Sequence, residues 1–116
     1  MILTGKCKVD FESFMFNWLD ENVAFDCESS KEEDLNHFYK FPQSMQYGVY
    51  LDFFNSLGIR IVIDMDFENE VYDKFALYIE YKENSFCSYG MNFKTRQEAR
   101  TAAIKKANEI YNKLMN

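Results

Sequence analysis

The stretch Ile59-Arg60-Ile61-Val62-Ile63-Asp64-Met65-Asp66-Phe67 places an apolar residue at every odd position and mostly charged residues between them. Successive side chains of a strand point to opposite faces, so this period of two predicts a half-buried strand with one wet face. The pattern then repeats. Phe75, Leu77, Ile79 and Tyr81 alternate with Lys74, Ala76, Tyr78, Glu80 and Lys82, and Glu68-Asn69-Glu70 supplies the turn between the two strands. Glu83-Asn84-Ser85 reads as a second turn, and Phe86 to Phe93 as a third strand with Gly90 as a weak point or bulge. Connections this short favour an antiparallel meander.

The flanking sequence changes to a helical period. Ser44 reads as the cap of a helix that stops at Gly58, the residue type best suited to follow a helix end. On its wheel Tyr47, Val49, Tyr50, Leu51, Phe53, Phe54 and Leu57 cover more than half the circumference, which predicts a helix pressed on two sides. After the strands, Thr95-Arg96-Gln97-Glu98 is a capping box. It opens a last helix with Ala99, Ala103, Ala107, Ile110, Tyr111 and Leu114 on one stripe, and the small alanines let it lie close on the sheet. Towards the N-terminus, Asp10 can cap a helix running to about Asn22, with Phe11, Phe14, Met15, Trp18 and Leu19 on its apolar face. Residues 24–34 form an acidic loop. Ser30 to Glu33 is a further capping box before a short helix carrying Leu35, Phe38 and Tyr39, which Pro42 ends. The expected fold class is α+β. It is a two-layer helix, three-stranded antiparallel meander, helix order (αβββα) with an extra N-terminal helical segment. One domain spans residues 1–116, with the N-terminal segment at 1–43 and the αβββα core at 44–116.

A length of 116 residues suits a single domain, and 47% hydrophobic with 28% charged residues is the balance of a globular protein. No apolar run approaches the roughly 18 residues of a membrane span. The first residues carry no apolar signal region, so the expected compartment is the cytoplasm. Cys7, Cys27 and Cys87 are odd in number and widely spaced, which fits free thiols better than disulfides or a Cys3His zinc site with His37. No P-loop, dinucleotide fingerprint or G-x-S-x-G motif occurs. His37 alone would have to serve any Ser-His-Asp or Cys-His machine, so the chain reads as non-enzymatic, without a cofactor.

Leu3-Thr4-Gly5-Lys6, Asp10-Phe11-Glu12, the run from Phe38 to Tyr50, Asp52-Phe53-Phe54 and the run from Thr95 to Ile104 together form a recognisable pattern. On these segments the chain resembles small uncharacterised proteins of Bacteroides-type bacteria and their phages and prophages. The resemblance implies a phage or prophage setting and brings no activity with it. The αβββα order is also similar to the double-stranded-RNA-binding domain in topology, a likeness of fold that carries little about function.

Charge is divided unevenly. Net charge is −6, with +4 on residues 94–116 and −10 on residues 1–93. Lys94, Arg96, Arg100, Lys105 and Lys106 on the last helix are therefore the candidate nucleic-acid contacts. Against them, the RNA-binding fold has a lysine cluster at that helix start where this chain has Thr95-Arg96-Gln97-Glu98, and the net charge disfavours a phosphate backbone. Asp64, Asp66, Glu68 and Glu70 recur at every second residue and are a weaker candidate for a divalent cation and a carboxylate-dependent metal enzyme, although Asn69 stands where a calcium loop needs Gly. Tyr78 with Asp64, Asp66 and Glu80 shares the outward parity of adjacent strands, and Tyr72, Tyr89, Val62 and Ala76 belong on or beside that face. Aromatic groups with an acidic rim suit protein recognition. The expected function is binding and modulation of a host or phage protein, with the acidic body favouring a basic one, and blocking a host defence is one such role.

Overall fold

The computed structural model describes residues 3–22, 31–66, 71–87 and 93–114. The element order is α1 (Gly5–Asn22), α2 (Lys31–Tyr39), α3 (Gln43–Ser56), β1 (Ile59–Asp66), β2 (Val71–Tyr81), β3 (Asn84–Cys87) and α4 (Arg96–Leu114). The strands form one antiparallel sheet in the order β1-β2-β3. The expected α+β class and helix, meander, helix arrangement are present.

The alternation of β1 and β2 sorts the sheet into two faces. Ile59, Ile61 and Ile63 stand opposite Tyr81, Ile79 and Leu77. Of these, Ile59, Ile61, Leu77 and Ile79 are buried. Helix α3 packs on β1, and α4 packs on β2 and β1. Ala99, Ala103 and Ala107 of α4 are fully buried, so the alanine stripe brings the helix down onto the strands as expected. Ile104 and Asn108 are buried beside it, while Leu114, placed on the stripe by its spacing, is 47% exposed. Helix α1 packs against α2, α3 and α4. Its Phe11 is the hub of an aromatic cluster, with ring centroids 4.9 Å from Tyr50, 5.4 Å from Phe53 and 5.7 Å from Phe38. Phe53 in turn lies 6.0 Å from Tyr111 of α4. The wide apolar arc of α3 is used on both sides, against the strand and against this cluster.

Several boundaries differ from the expectation. Helix α1 begins at Gly5, so Asp10 lies within it. There Asp10 accepts hydrogen bonds from Lys6 at 2.7 Å and from the Tyr111 hydroxyl. Helix α2 ends at Tyr39, and Pro42 is instead the N-cap of α3, with no side-chain cap from Ser44. Proline fits there because it has no N–H to leave unpaired. Gly58 follows the α3 C-cap at φ +79°, as its position implied. The second hairpin turns on Lys82 and Glu83, with Tyr81 opposite Asn84, rather than on 83–85. Strand β3 is described over Asn84–Cys87, and Phe93 forms a separate bridge to Phe75. Ser30, the turn at 68–70, Tyr89 and Gly90 lie outside the described residues, as do the side chains of Trp18, Leu19 and Tyr72.

Candidate functional site: the outer face of the sheet

The main helix packing on the sheet among the described elements comes from α3 and α4, on the face that carries Ile59, Ile61, Leu77 and Ile79. The opposite face is built from rows of cross-strand neighbours. Arg60 faces Glu80, which faces Ser85. Val62 faces Tyr78, which faces Cys87, and Asp64 faces Ala76. Directly opposed residues bring their Cβ atoms to about 5 Å, close enough for each row to act as a unit. The middle row is apolar and aromatic, with Val62 38% exposed and Tyr78 half-buried. The rows on either side carry charge. Three of the four expected residues, Asp64, Tyr78 and Glu80, thus share one surface. Asp66 ends β1 at an irregularity where the pairing jumps from Met65 with Phe75 to Asp66 with Val71, and its side chain lies outside the described residues.

Two expectations about this surface need correction. Ala76 has the outward parity but is only 4% exposed, so it packs rather than offering contact area. Cys87 and Ser85 join the face, which the sequence did not suggest. Their place follows from the two-residue turn at Lys82–Glu83, and Lys82 adopts φ +52°, a conformation a lysine does not advertise.

Three of the basic residues of this region are engaged with aromatic rings, and Arg96 and Arg100, one turn apart, both lie near Tyr47. The Arg96 guanidinium lies 4.9 Å from the centroid of the Phe75 ring, and that of Arg100 lies 5.2 Å from the Tyr47 ring. The Lys106 ammonium lies 4.6 Å from the Phe86 ring and 3.5 Å from Glu109. These cations cover aromatic edges of three different elements. Lys94 and Lys105 are exposed at separate points. The N-terminus of α4 is already served by its own residues. Thr95 Oγ1 accepts from the Glu98 N–H at 3.1 Å, and Glu98 Oε2 accepts from the Lys94 N–H at 3.3 Å.

No group of three His, Cys, Asp or Glu side chains with metal-ligating proximity occurs among the described residues. His37 is exposed in the last turn of α2. Cys7 is buried, and burial pushes its thiol up to about 12, with the nearby Asp10 carboxylate adding to the shift. A thiol so held is a packing group rather than a nucleophile. No helix among the described residues is long and apolar enough to cross a membrane. Comparison of the chain with protein-family models, with curated proteins and with solved structures found no match in any of the three.

Proposed function

We propose that this chain is a non-enzymatic binding protein that holds and modulates another protein through the outer face of its sheet. The observation that carries this reading is the row Val62, Tyr78 and Cys87, which lies on the face opposite the main packing of α3 and α4, keeps Val62 exposed, and is flanked by Asp64 and by Arg60 with Glu80. An aromatic and apolar centre with a charged rim is the arrangement that recurs at protein interfaces. Asp64 and Glu80, set against the one cation Arg60, and the −10 carried by residues 1–93 favour a basic partner, and the rim carboxylates act mainly on the rate of encounter. The resemblance to small phage and prophage proteins supports a host or phage protein as that partner, met in the cytoplasm. Interference with a host defence fits the same reading.

The test is affinity capture from host lysate with the tagged wild-type chain and with Val62→Glu and Tyr78→Ala. Val62 is exposed, so its replacement should leave the fold intact, which circular dichroism checks. Specific capture is expected to fall at least tenfold in both variants, on the order of what loss of a central interface aromatic costs. Capture that survives both changes removes the outer face from consideration. Tight binding to duplex RNA that weakens steeply with salt would instead favour the basic helix α4.

A further inference from the structure

The helical layer does not cover the sheet evenly. Helix α3 packs on β1, and α4 packs on β2 and β1, so the layer is displaced towards the β1 edge. Packed helices lie about 8–10 Å apart. The next place in the series α3, α4 therefore falls beside α4, over β3 and its margin. That place is a cleft of about 270 Å³ between the C-terminal half of α4 and the β2–β3 hairpin, with Ile79, Tyr81, Phe86, Ile110 and Leu114 among its lining residues. A second cleft of about 230 Å³ continues it past Phe86 and Lys106 towards Phe93 and Ala102. Phe86 and Ile110 are only half-buried, and Leu114 is 47% exposed.

Charge identifies the occupant. The charged residues lining the first cleft are Lys106 and Lys113, and no carboxylate is among its described lining residues. Lys106 sits over the Phe86 ring at the junction of the two clefts, met in part by Glu109, which is itself 61% exposed. Lys113 has no ion pair among the described residues and stands in the last turn of α4. In a chain of net charge −6 this is a local reversal of sign on an apolar floor. A basic partner would be repelled here, which separates this surface from the outer face.

We propose that the cleft between α4 and the β2–β3 hairpin docks an acidic amphipathic helix of another protein, its apolar stripe on Phe86 and Ile110 and its carboxylates on Lys106 and Lys113. The occupant adds a third member to the α3, α4 layer and completes the cover of the sheet. The two clefts follow α4 lengthwise and are open along their length, which suits a chain segment with anchors at every third or fourth residue. The inference is independent of the outer-face reading, since the two surfaces lie on opposite sides of the sheet and select opposite charge.

The probe is a synthetic helical peptide of about four turns, with leucine at i, i+3, i+4 and i+7 and glutamate elsewhere. One control carries lysine in place of glutamate, and another has the same residues scrambled so that the stripe is lost. Titration into the isotope-labelled protein is expected to shift the amide signals of Phe86, Ile110 and Lys113 with the acidic peptide only. Lys106→Glu/Lys113→Glu should weaken that peptide at least tenfold, and the exposed substitution Leu114→Asp should weaken it severalfold; circular dichroism should show both folded, the double variant with a lowered melting temperature because Lys106 leaves the Phe86 ring and Glu109. Equal binding of the lysine peptide, shifts confined to the outer face, or no binding at millimolar peptide would overturn the proposal. So would self-association of the free protein at micromolar concentration that Lys113→Glu abolishes, because a second copy would then be the occupant.

Discussion

Asn108 of α4 exchanges two hydrogen bonds with Thr4 at the chain's opposite end: its Oδ1 accepts from the Thr4 backbone N–H at 2.9 Å, and its Nδ2 donates to Thr4 Oγ1 at 3.0 Å. One turn further on, Asn112 Oδ1 accepts from the Cys7 N–H at 2.9 Å, and its Nδ2 donates to the Thr4 carbonyl at 3.0 Å. The first N–H groups of a helix have no partner within it. Helix α1 thus receives its N-terminal cap from the side chains of another helix. Gly5, at φ +61°, makes this approach possible, since a Cβ there would stand 3.2 Å from the Asn112 amide.

Asn108→Leu should therefore destabilise the protein by about 1–3 kcal/mol, the loss of two hydrogen bonds at roughly 0.5–1.5 kcal/mol each. Asn112→Ala should act in the same direction, and Lys113→Ala, one residue on, should be nearly silent. Urea denaturation measures all three. Hydrogen exchange at the Cys7 amide should quicken in Asn112→Ala before exchange changes at Ile61 or Ile79. A uniform change across the chain would contradict the local cap.

Gly48 and Gly58 should respond oppositely to alanine. Gly48 is exposed within α3 and a Cβ there meets nothing within 4 Å, so Gly48→Ala should stabilise by roughly 0.5–1 kcal/mol through helix propensity and lost unfolded-state freedom. Gly58 also has open space, but its φ of +79° is costly for any residue with a Cβ. Gly58→Ala should destabilise by about 1–2 kcal/mol. Thermal melts of the two variants on either side of wild type would check this.

The legible part of the fold is the part set by short-range periodicity. The alternation in 59–66 and 75–81, the stop at Gly58 and the Thr95–Glu98 capping box each have a local physical cause that reads directly from residue order. What failed depends on distant partners. Asp10 has the chemistry of a cap, yet α1 starts five residues earlier because Asn108 and Asn112 supply the cap from more than 100 residues away. Asn108 was missed on the buried stripe because a polar residue there makes sense only with Thr4 beside it. The candidate site was legible by parity alone: Asp64, Tyr78 and Glu80 came together, but Ser85 and Cys87 required the register that the Lys82–Glu83 turn sets. The engagement of Arg96, Arg100 and Lys106 was not legible, since each of the three lies over an aromatic ring on another element.

The alanine stripe gives a test of packing. Ala103 and Ala107 are fully buried under α4, so Ala103→Leu or Ala107→Leu should cost about 1–3 kcal/mol by overpacking. Lys105 is exposed on the far side of the same helix, and Lys105→Leu should change stability little. Equal urea midpoints for the three variants would refute the assigned helix face.

Tyr39 is a place where removal of a polar atom should help. Its hydroxyl is buried with no hydrogen-bond partner among the described residues, and burial raises its ionisation above the usual tyrosine range, with Glu12 adding to the shift. Tyr39→Phe keeps the ring beside Phe38, 5.5 Å away, and removes the orphaned oxygen. A gain of about 1 kcal/mol is expected, the low end of the cost of an unsatisfied buried group. A loss on chemical denaturation would mean that the hydroxyl is satisfied after all.

Alkaline pH should unfold the protein through groups at the same helical junction. Burial raises Cys7 from 9.0 to about 12 and Tyr50 from 10.0 to about 12. Tyr111 is raised by burial first and then by donating its hydroxyl proton to Asp10. In each case the folded value lies above the unfolded one, so the neutral form is favoured by folding. Their contribution is complete below the unfolded values of 9.0 and 10.0 and is lost as pH rises from there through the folded values. Asp10 has the opposite sign. Hydrogen bonds from Lys6 and then Tyr111 hold it below its usual 3.8, so its contribution is present above that value and lost as pH falls through the lowered one. Stability should therefore be flat across neutral pH with respect to these groups and fall above about pH 9–10, where the unfolded thiol and phenols ionise. Tyr111→Phe should be less stable than wild type at neutral pH, because it leaves Asp10 without that donor, yet it should show a shallower alkaline decline. Urea midpoints at pH 7 and pH 10.5 for the two proteins decide the matter, and parallel declines would exclude Tyr111 as one of the groups that hold its proton in the fold.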